Sequence, residues 1–241
     1  MHLLRYISFI SFIAMGLSGC GDNDRQRAFS PLPTSSSPVL DITEDGNSQF
    51  NISVLEQVLL SYSQDPLDSN EEAGVLLMRE EEKFAHDVYQ AMANLYGLPI
   101  FTNIATSEAT HTEAMRLLLE RYQLDDPTLG NGMGEFTDIT LQSLYFMLVD
   151  EGAVSLTDAL RVGVLIEELD IFDLEFLLAA LDGNDDIAYV YANLQKGSRN
   201  HLRAYYTQLV NQGASYTPQY LSQEVFDAIV NSPIERGTAG N

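Results

Sequence analysis

Glu108 and His111 stand three residues apart in Ser107-Glu108-Ala109-Thr110-His111. On a helix that spacing sets both side chains on one face, near enough to reach a common point. A carboxylate and an imidazole so placed suit a metal ion, and one class of helical bundle uses such steps, with further inward carboxylates, to hold two ions. Glu81, Glu167, Asp170 and His201 each interrupt the apolar line of their own segment. The six residues supply four carboxylates and two imidazoles. Such a set suits iron or manganese better than zinc or copper. It predicts a centre of two iron ions, manganese being the alternative, with Glu108 or Glu167 bridging and His111 and His201 as terminal ligands. The expected chemistry is oxidation of ferrous iron, or reduction of oxygen or peroxide.

Four helices must position these side chains. The first is expected to start at a Ser69 or Asn70 cap and end at Tyr96, before Gly97 and Pro99. Its apolar line reads Leu77, Phe84, Val88, Ala91, Leu95, and Glu81 fills the gap between Leu77 and Phe84. A carboxylate at a core position needs a partner, since an unpaired buried charge is costly. Glu80, Glu82 and His86 read as surface residues. The second helix is expected from Thr102 or Asn103 to Tyr122, with Ile104, Glu108, His111, Met115 and Leu118 on its inward line.

A glycine-rich stretch over 123–140 and a short helix from Leu141 to Asp150 form a long crossover to the third helix, Ser155 to Leu181. Glu167 and Asp170 break that helix's line together, and two acids one turn apart repel unless a cation or proton lies between them. Glu168 and Asp173 fall off the line and read as solvated or supporting. The fourth helix, Ile187 to Gln212, carries His201 where a second Glu-x-x-His would place its histidine, but Ser198 replaces the glutamate. Asp170 is the acid expected to compensate. Tyr89, Tyr122 and Tyr205 are candidate redox or hydrogen-bonding tyrosines, with core packing the plainer reading. The fold expected is all-α, a four-helix bundle with a long crossover between the second and third helices.

Four stretches, Met78-Arg79-Glu80-Glu81-Glu82-Lys83, Gly97-Leu98-Pro99-Ile100-Phe101 through Glu108 and His111, Ile166-Glu167-Glu168-Leu169-Asp170-Ile171, and Gly197-Ser198-Arg199-Asn200-His201-Leu202-Arg203, resemble the family called domain of unknown function 2202. The resemblance spans about Glu72 to Leu221. It implies a ferritin-like fold, in a superfamily with rubrerythrins and ferritins, and brings no reaction with it. His86 stands where relatives are expected to carry arginine, a departure on the flank.

The ends of the chain suggest its setting. Residues 1–20 read as a secretory leader: Arg5, an apolar run, then Leu17-Ser18-Gly19-Cys20, which resembles a lipoprotein cleavage motif. Cys20 is the one cysteine of the 241 residues. Its acylation would anchor the protein to a membrane on the extracytoplasmic side, in the periplasm or at the cell surface. Residues 21–50 read as a flexible tether, 51–221 as the helical domain and 222–241 as a tail. Thirty-five acidic against 12 basic residues give a net charge of -23, which argues against nucleic acid as a partner. Without cysteine pairs there is no internal iron-sulfur carrier, so an enzyme would need an external electron donor. A non-catalytic metal-sequestering or sensing protein, and a metal-free module in which the acids pair with His111, His201 and Arg203, are the rival readings.

Overall fold

Asp68 starts the first long helix. Its carboxylate accepts from the backbone N–H of Asn70 and Glu71, while Glu71 Oε2 accepts from the N–H of Asp68. This reciprocal cap satisfies three donors that a bare helix end would leave without partners, and it moves the cap one residue ahead of Ser69. The computed structural model describes residues 38–237. The expected leader, with Cys20, lies outside the described residues.

The described chain is all-α apart from one hairpin. Strands β1 (Leu40–Ile42) and β2 (Ser48–Phe50) pair antiparallel and are followed by a short helix α1 (Ile52–Leu59). The four long helices are α2 (Ser69–Tyr96), α3 (Pro99–Tyr122), α5 (Leu156–Ala180) and α6 (Asp185–Asn211). A shorter α4 (Ile139–Gly152) lies in the connection, and α7 (Gln223–Val230) follows the last long helix. Gly97, at φ 61°, closes α2 in the left-handed conformation that favours glycine. Pro99 then opens α3 at its first turn, where the missing N–H costs nothing, so α3 starts earlier than Thr102.

The contacts define the helix directions. Gly74 of α2 lies against Leu177 of α5 and Tyr89 of α2 reaches Glu167, so α2 and α5 run antiparallel. Phe101 of α3 stacks near Tyr205 of α6, and Tyr122 of α3 bonds Asp186, so α3 and α6 are antiparallel too. The loop at Gly97 reverses α2 into α3. Helices α3 and α5 are therefore parallel, and the connection carrying α4 crosses the length of the bundle to join them.

Two apolar clusters fill the interior. One gathers Phe84, Tyr89, Ile104, Leu202 and Tyr205, the other Met78, Met115, Leu118, Leu174 and Leu194. On α2, α3 and α6 the switch between clusters falls at Glu82, Glu108 to His111, and His201. A polar layer thus separates two dry ones.

Two expectations about the ends change. Residues 38–50 are not tether: Val39, Leu40, Ile42 and Phe50 are buried core, because the hairpin lies on α3 and pairs its own backbone. The stretch after 222 is more than a tail, since Phe226 is fully buried against Tyr206 and Tyr216. Among the described residues, no helix is long and apolar enough to cross a membrane.

Candidate metal centre

Glu108 and His111 face inward from α3, and the hairpin holds them there. The backbone N–H of Ser48 donates to Ser107 Oγ at 3.1 Å and that of Phe50 to Thr110 Oγ1 at 3.0 Å, so β2 grips the helix at the residue just before each member of the pair. The Phe50 ring meets the His111 imidazole edge-on, with centroids 5.5 Å apart.

Glu108 lies between the two imidazoles. Its Oε2 is 2.8 Å from His111 Nδ1 and its Oε1 is 2.8 Å from His201 Nδ1. A second carboxylate stands by each ring, Glu82 Oε2 at 3.3 Å from His111 and Glu167 Oε2 at 3.5 Å from His201. The result is two triads sharing Glu108: Glu82, Glu108 and His111, and Glu108, Glu167 and His201, each with one ligand atom per residue within 4.8 Å of the others. All five residues are at most 2% exposed. The rings lie nearly parallel, 16° apart with centroids at 5.4 Å.

Ser48 sets the orientation of both rings. Its Oγ is 2.9 Å from Nε2 of His111 and 2.9 Å from Nε2 of His201. One hydroxyl oxygen has lone pairs for two Nε2–H donors, so Ser48 can accept from both rings and hold each Nδ1 turned to the carboxylates. Gly197 leaves room for this arrangement, since a Cβ there would come within 2.7 Å of both His111 Cε1 and Ser48 Oγ. Tyr89 steadies the far side by donating to Glu167 Oε1 at 2.7 Å.

These residues fit a metal pair. Both Nδ1 atoms and Glu82 Oε1 are buried without a hydrogen-bond partner, although carboxylate oxygens stand close to the rings. The approach is short in distance but not aligned for an N–H donor. Buried polar atoms left in this state are costly, and a cation seated between nitrogen and oxygen would satisfy them together. The electrostatics agree. Burial alone would raise the Glu108 carboxyl, but the charges of His201 and His111 hold it far below the usual range. Burial alone would lower His201, yet Glu108 and Glu167 push it up to about 9. Glu82 and Glu167 are both pushed up to about 7, chiefly by burial and against the pull of their imidazoles. The site favours positive charge between its carboxylates.

Of the six residues expected from sequence, Glu108, His111, Glu167 and His201 come together here. Glu81 does not join the triads, and its neighbour Glu82 takes the place assigned to it. The buried step on α2 is Val75, Met78, Glu82, Ala85, Tyr89, Met92, displaced from the line through Leu77 and Leu95, and Leu95 is exposed. Neither Glu80 nor Glu82 is solvated. The crossover covers this part of α2, and Glu80 accepts from the backbone N–H of Asp138 at 3.0 Å. Asp170 accepts from the Ser198 hydroxyl and also stands outside the triads. Both Glu81 and Asp170 line a small cavity that reaches Glu108 and Glu167.

Other residues also sit differently from expectation. Glu168 and Asp173 are buried, and Glu168 accepts from Tyr216 and from the backbone N–H of Gln219, Tyr220 and Leu221. Tyr122 lies at the far end of the bundle on Asp186, away from the centre. Arg203 turns to Ile229, Ser232 and Glu235 rather than to the inward acids. His86 pairs with Asp87 at 2.9 Å. Ser48 was beyond the reach of local pattern, because a serine on a short strand carries no periodic signal.

The uncharacterized protein domain DUF2202 matches residues 71–233, which include every member of both triads. The chain belongs to the DUF2202 family. The uncharacterized protein MJ0754 of Methanocaldococcus jannaschii is 46% identical over 181 residues, 75% of this chain and 97% of that protein. The crystal structure of hypothetical protein MJ0754 from Methanococcus jannaschii is similar at a TM-score of 0.70 and 47% identity, covering 72% of this chain and 98% of that one. The hairpin with Ser48 precedes the matched DUF2202 segment, so in this chain a residue outside that segment orients both histidines within it.

Proposed function

We propose that this DUF2202 protein is a ferritin-like protein holding two iron ions, with manganese the alternative, and acting as an oxidase of ferrous iron or a reductase of oxygen or peroxide. The observation that carries the reading is Glu108, which offers one oxygen to each imidazole while Glu82 and Glu167 complete the two ends. The parallel α3 and α5 joined by a crossover support the ferritin-like assignment. When bound, an iron pair would supply the electron-transfer chemistry. The chain's own residues would do the rest: Glu108, between Glu82 with His111 and Glu167 with His201, would hold the ions, Ser48 orients both rings, and Tyr89 keeps a proton on its hydroxyl against Glu167. Burial pushes that phenol well above its ordinary range, so it acts as a donor to the carboxylate. A small cavity of about 10 Å³ adjoins Glu108 and Glu167, with room for about one water-sized molecule.

Anaerobic titration with ferrous iron followed by oxygen tests the reading. Two irons per chain, a new near-ultraviolet band and oxygen uptake support the oxidoreductase. Stable binding without turnover selects a sequestering or sensing protein, and absence of binding selects the metal-free module.

The sequence of the leader supports a second part of the proposal, that acylated Cys20 anchors the protein on the extracytoplasmic face of a membrane. Labelling with a radioactive fatty acid should mark the native chain and not C20S, and equal labelling of both would remove the anchor.

A further inference from the structure

The turn of the hairpin, the start of α3, the C-terminal part of α6 and the segment around Ile234 enclose a cavity of about 410 Å³, a volume that small organic ligands fill. Its walls are braced. Gly46, at φ 90°, brings the turn so close to α6 that a Cβ there would meet Asn200 O at 2.9 Å, and Arg203 is tied to Ser232 and Glu235. The cavity also lies close to the candidate metal centre. Ala204 on its wall follows His201 by three residues, about 4.5 Å along the helix axis. Asn103 lies one turn before Ser107, and Asn47 directly precedes Ser48, whose hydroxyl touches both imidazoles.

The lining selects a class of ligand. Leu98, Ile100, Ala204 and Ile234 give an apolar wall that suits a flat ring. The exposed carboxylates of Glu44 and Asp45 only accept hydrogen bonds, whereas the half-buried amides of Asn103 and Gln208 both donate and accept. A hydroxyl meets both demands, because it too donates and accepts; an ammonium can only donate. Phosphate and carboxylate ligands are disfavoured, because Arg203 is the one base of the lining and Glu235 already neutralises it.

We propose that this cavity binds a neutral dihydroxyaromatic molecule of the hydroquinone class, which is the outside reductant for the Glu108-centred site. The binding site stands on the cavity alone, while the reductant role rests on the oxidoreductase reading above. In the overall reaction both O–H bonds of the hydroquinone break, and its two electrons and two protons pass to peroxide. The O–O bond of peroxide breaks, and the products are one quinone and two waters. The nearness of Ala204 to His201 keeps the path of those electrons short.

The test titrates the full chain, stripped of metal, with 1,4-hydroquinone under argon in a calorimeter. Wild type should take up one molecule per chain, and A204F, whose phenyl ring fills the cavity, should bind about tenfold more weakly. T207W, which covers the mouth from an exposed position, replaces A204F if that variant does not fold. Both proteins should hold the same number of ferrous ions, counted separately, and with iron and peroxide A204F should form quinone about tenfold more slowly. Absence of saturable binding, or equal binding by wild type and A204F, overturns the site whatever the iron count. Hydroquinone bound tightly only by wild type but oxidised equally fast by both overturns the reductant role. Binding that A204F loses, in a chain that takes up no iron, keeps the site and removes the oxidoreductase reading.

Discussion

The hydroxyl of Ser198 on α6 donates to the carboxylate of Asp170 on α5. Ser198 holds the position where a second Glu-x-x-His step would carry its glutamate, and the acid that would replace it binds to the serine instead. The two residues close a cross-helix hydrogen bond beside the polar layer rather than joining either triad.

Removing that donor tests this arrangement. S198A leaves a partly buried carboxylate without its hydroxyl, and should lower unfolding stability by about 1 kcal/mol, read from the urea midpoint. Because Ser198 belongs to neither triad, the variant should still bind two ions at the Glu108 centre. A variant that loses one of them would return the Ser198 and Asp170 pair to the ligand set.

Glu108 faces both imidazoles, so its loss should differ from the loss of either ring. E108Q is expected to abolish binding of both ions, whereas H111A and H201A should each keep one, counted by metal analysis after gel filtration. Identical retention in all three variants would mean that Glu108 does not bridge.

Ser48 acts on the ions only through the histidines. S48A removes the acceptor for both Nε2–H groups and frees the rings to turn, so metal affinity should fall by about 10–100-fold in a chelator competition. S48T keeps the hydroxyl and should restore part of the affinity where its extra methyl fits. Unchanged affinity in S48A would assign the serine to packing alone.

Glu235 gives the acid response. Burial alone would raise its carboxyl, but hydrogen bonds from Arg199 and Arg203 outweigh that and hold it down to about 2, against an ordinary 4.5. A group lowered in the folded state stabilises the fold above its ordinary value and loses that contribution as pH falls toward the folded one. E235Q should therefore cost about 1–2 kcal/mol at neutral pH, a figure reduced for the partial exposure of the pair, and the gap from wild type should close between about pH 4.5 and 2. A gap independent of pH, followed by urea unfolding across that range, would show that the carboxylate charge is not what secures this end of the chain.

Local signals in the sequence were enough for the helices and for much of the centre. Caps, Gly97, Pro99 and the helical repeat act within a few residues, so α2 to α6 were legible to within about a turn. The three-residue step between Glu108 and His111 needs only the helix to bring its side chains together. Glu167 and His201 were legible because each interrupts the apolar line of its own helix. Tertiary packing decided the rest. In the run Glu80-Glu81-Glu82 all three acids are buried, and their different roles depend on what covers each face of α2: the crossover over Glu80, Asp173 opposite Glu81, and His111 opposite Glu82. Ser48 reaches rings 63 and 153 residues away, a separation no local pattern spans. Periodicity reports which residues share a face; burial and pairing of an acid depend on the element placed against that face, which only the folded chain defines.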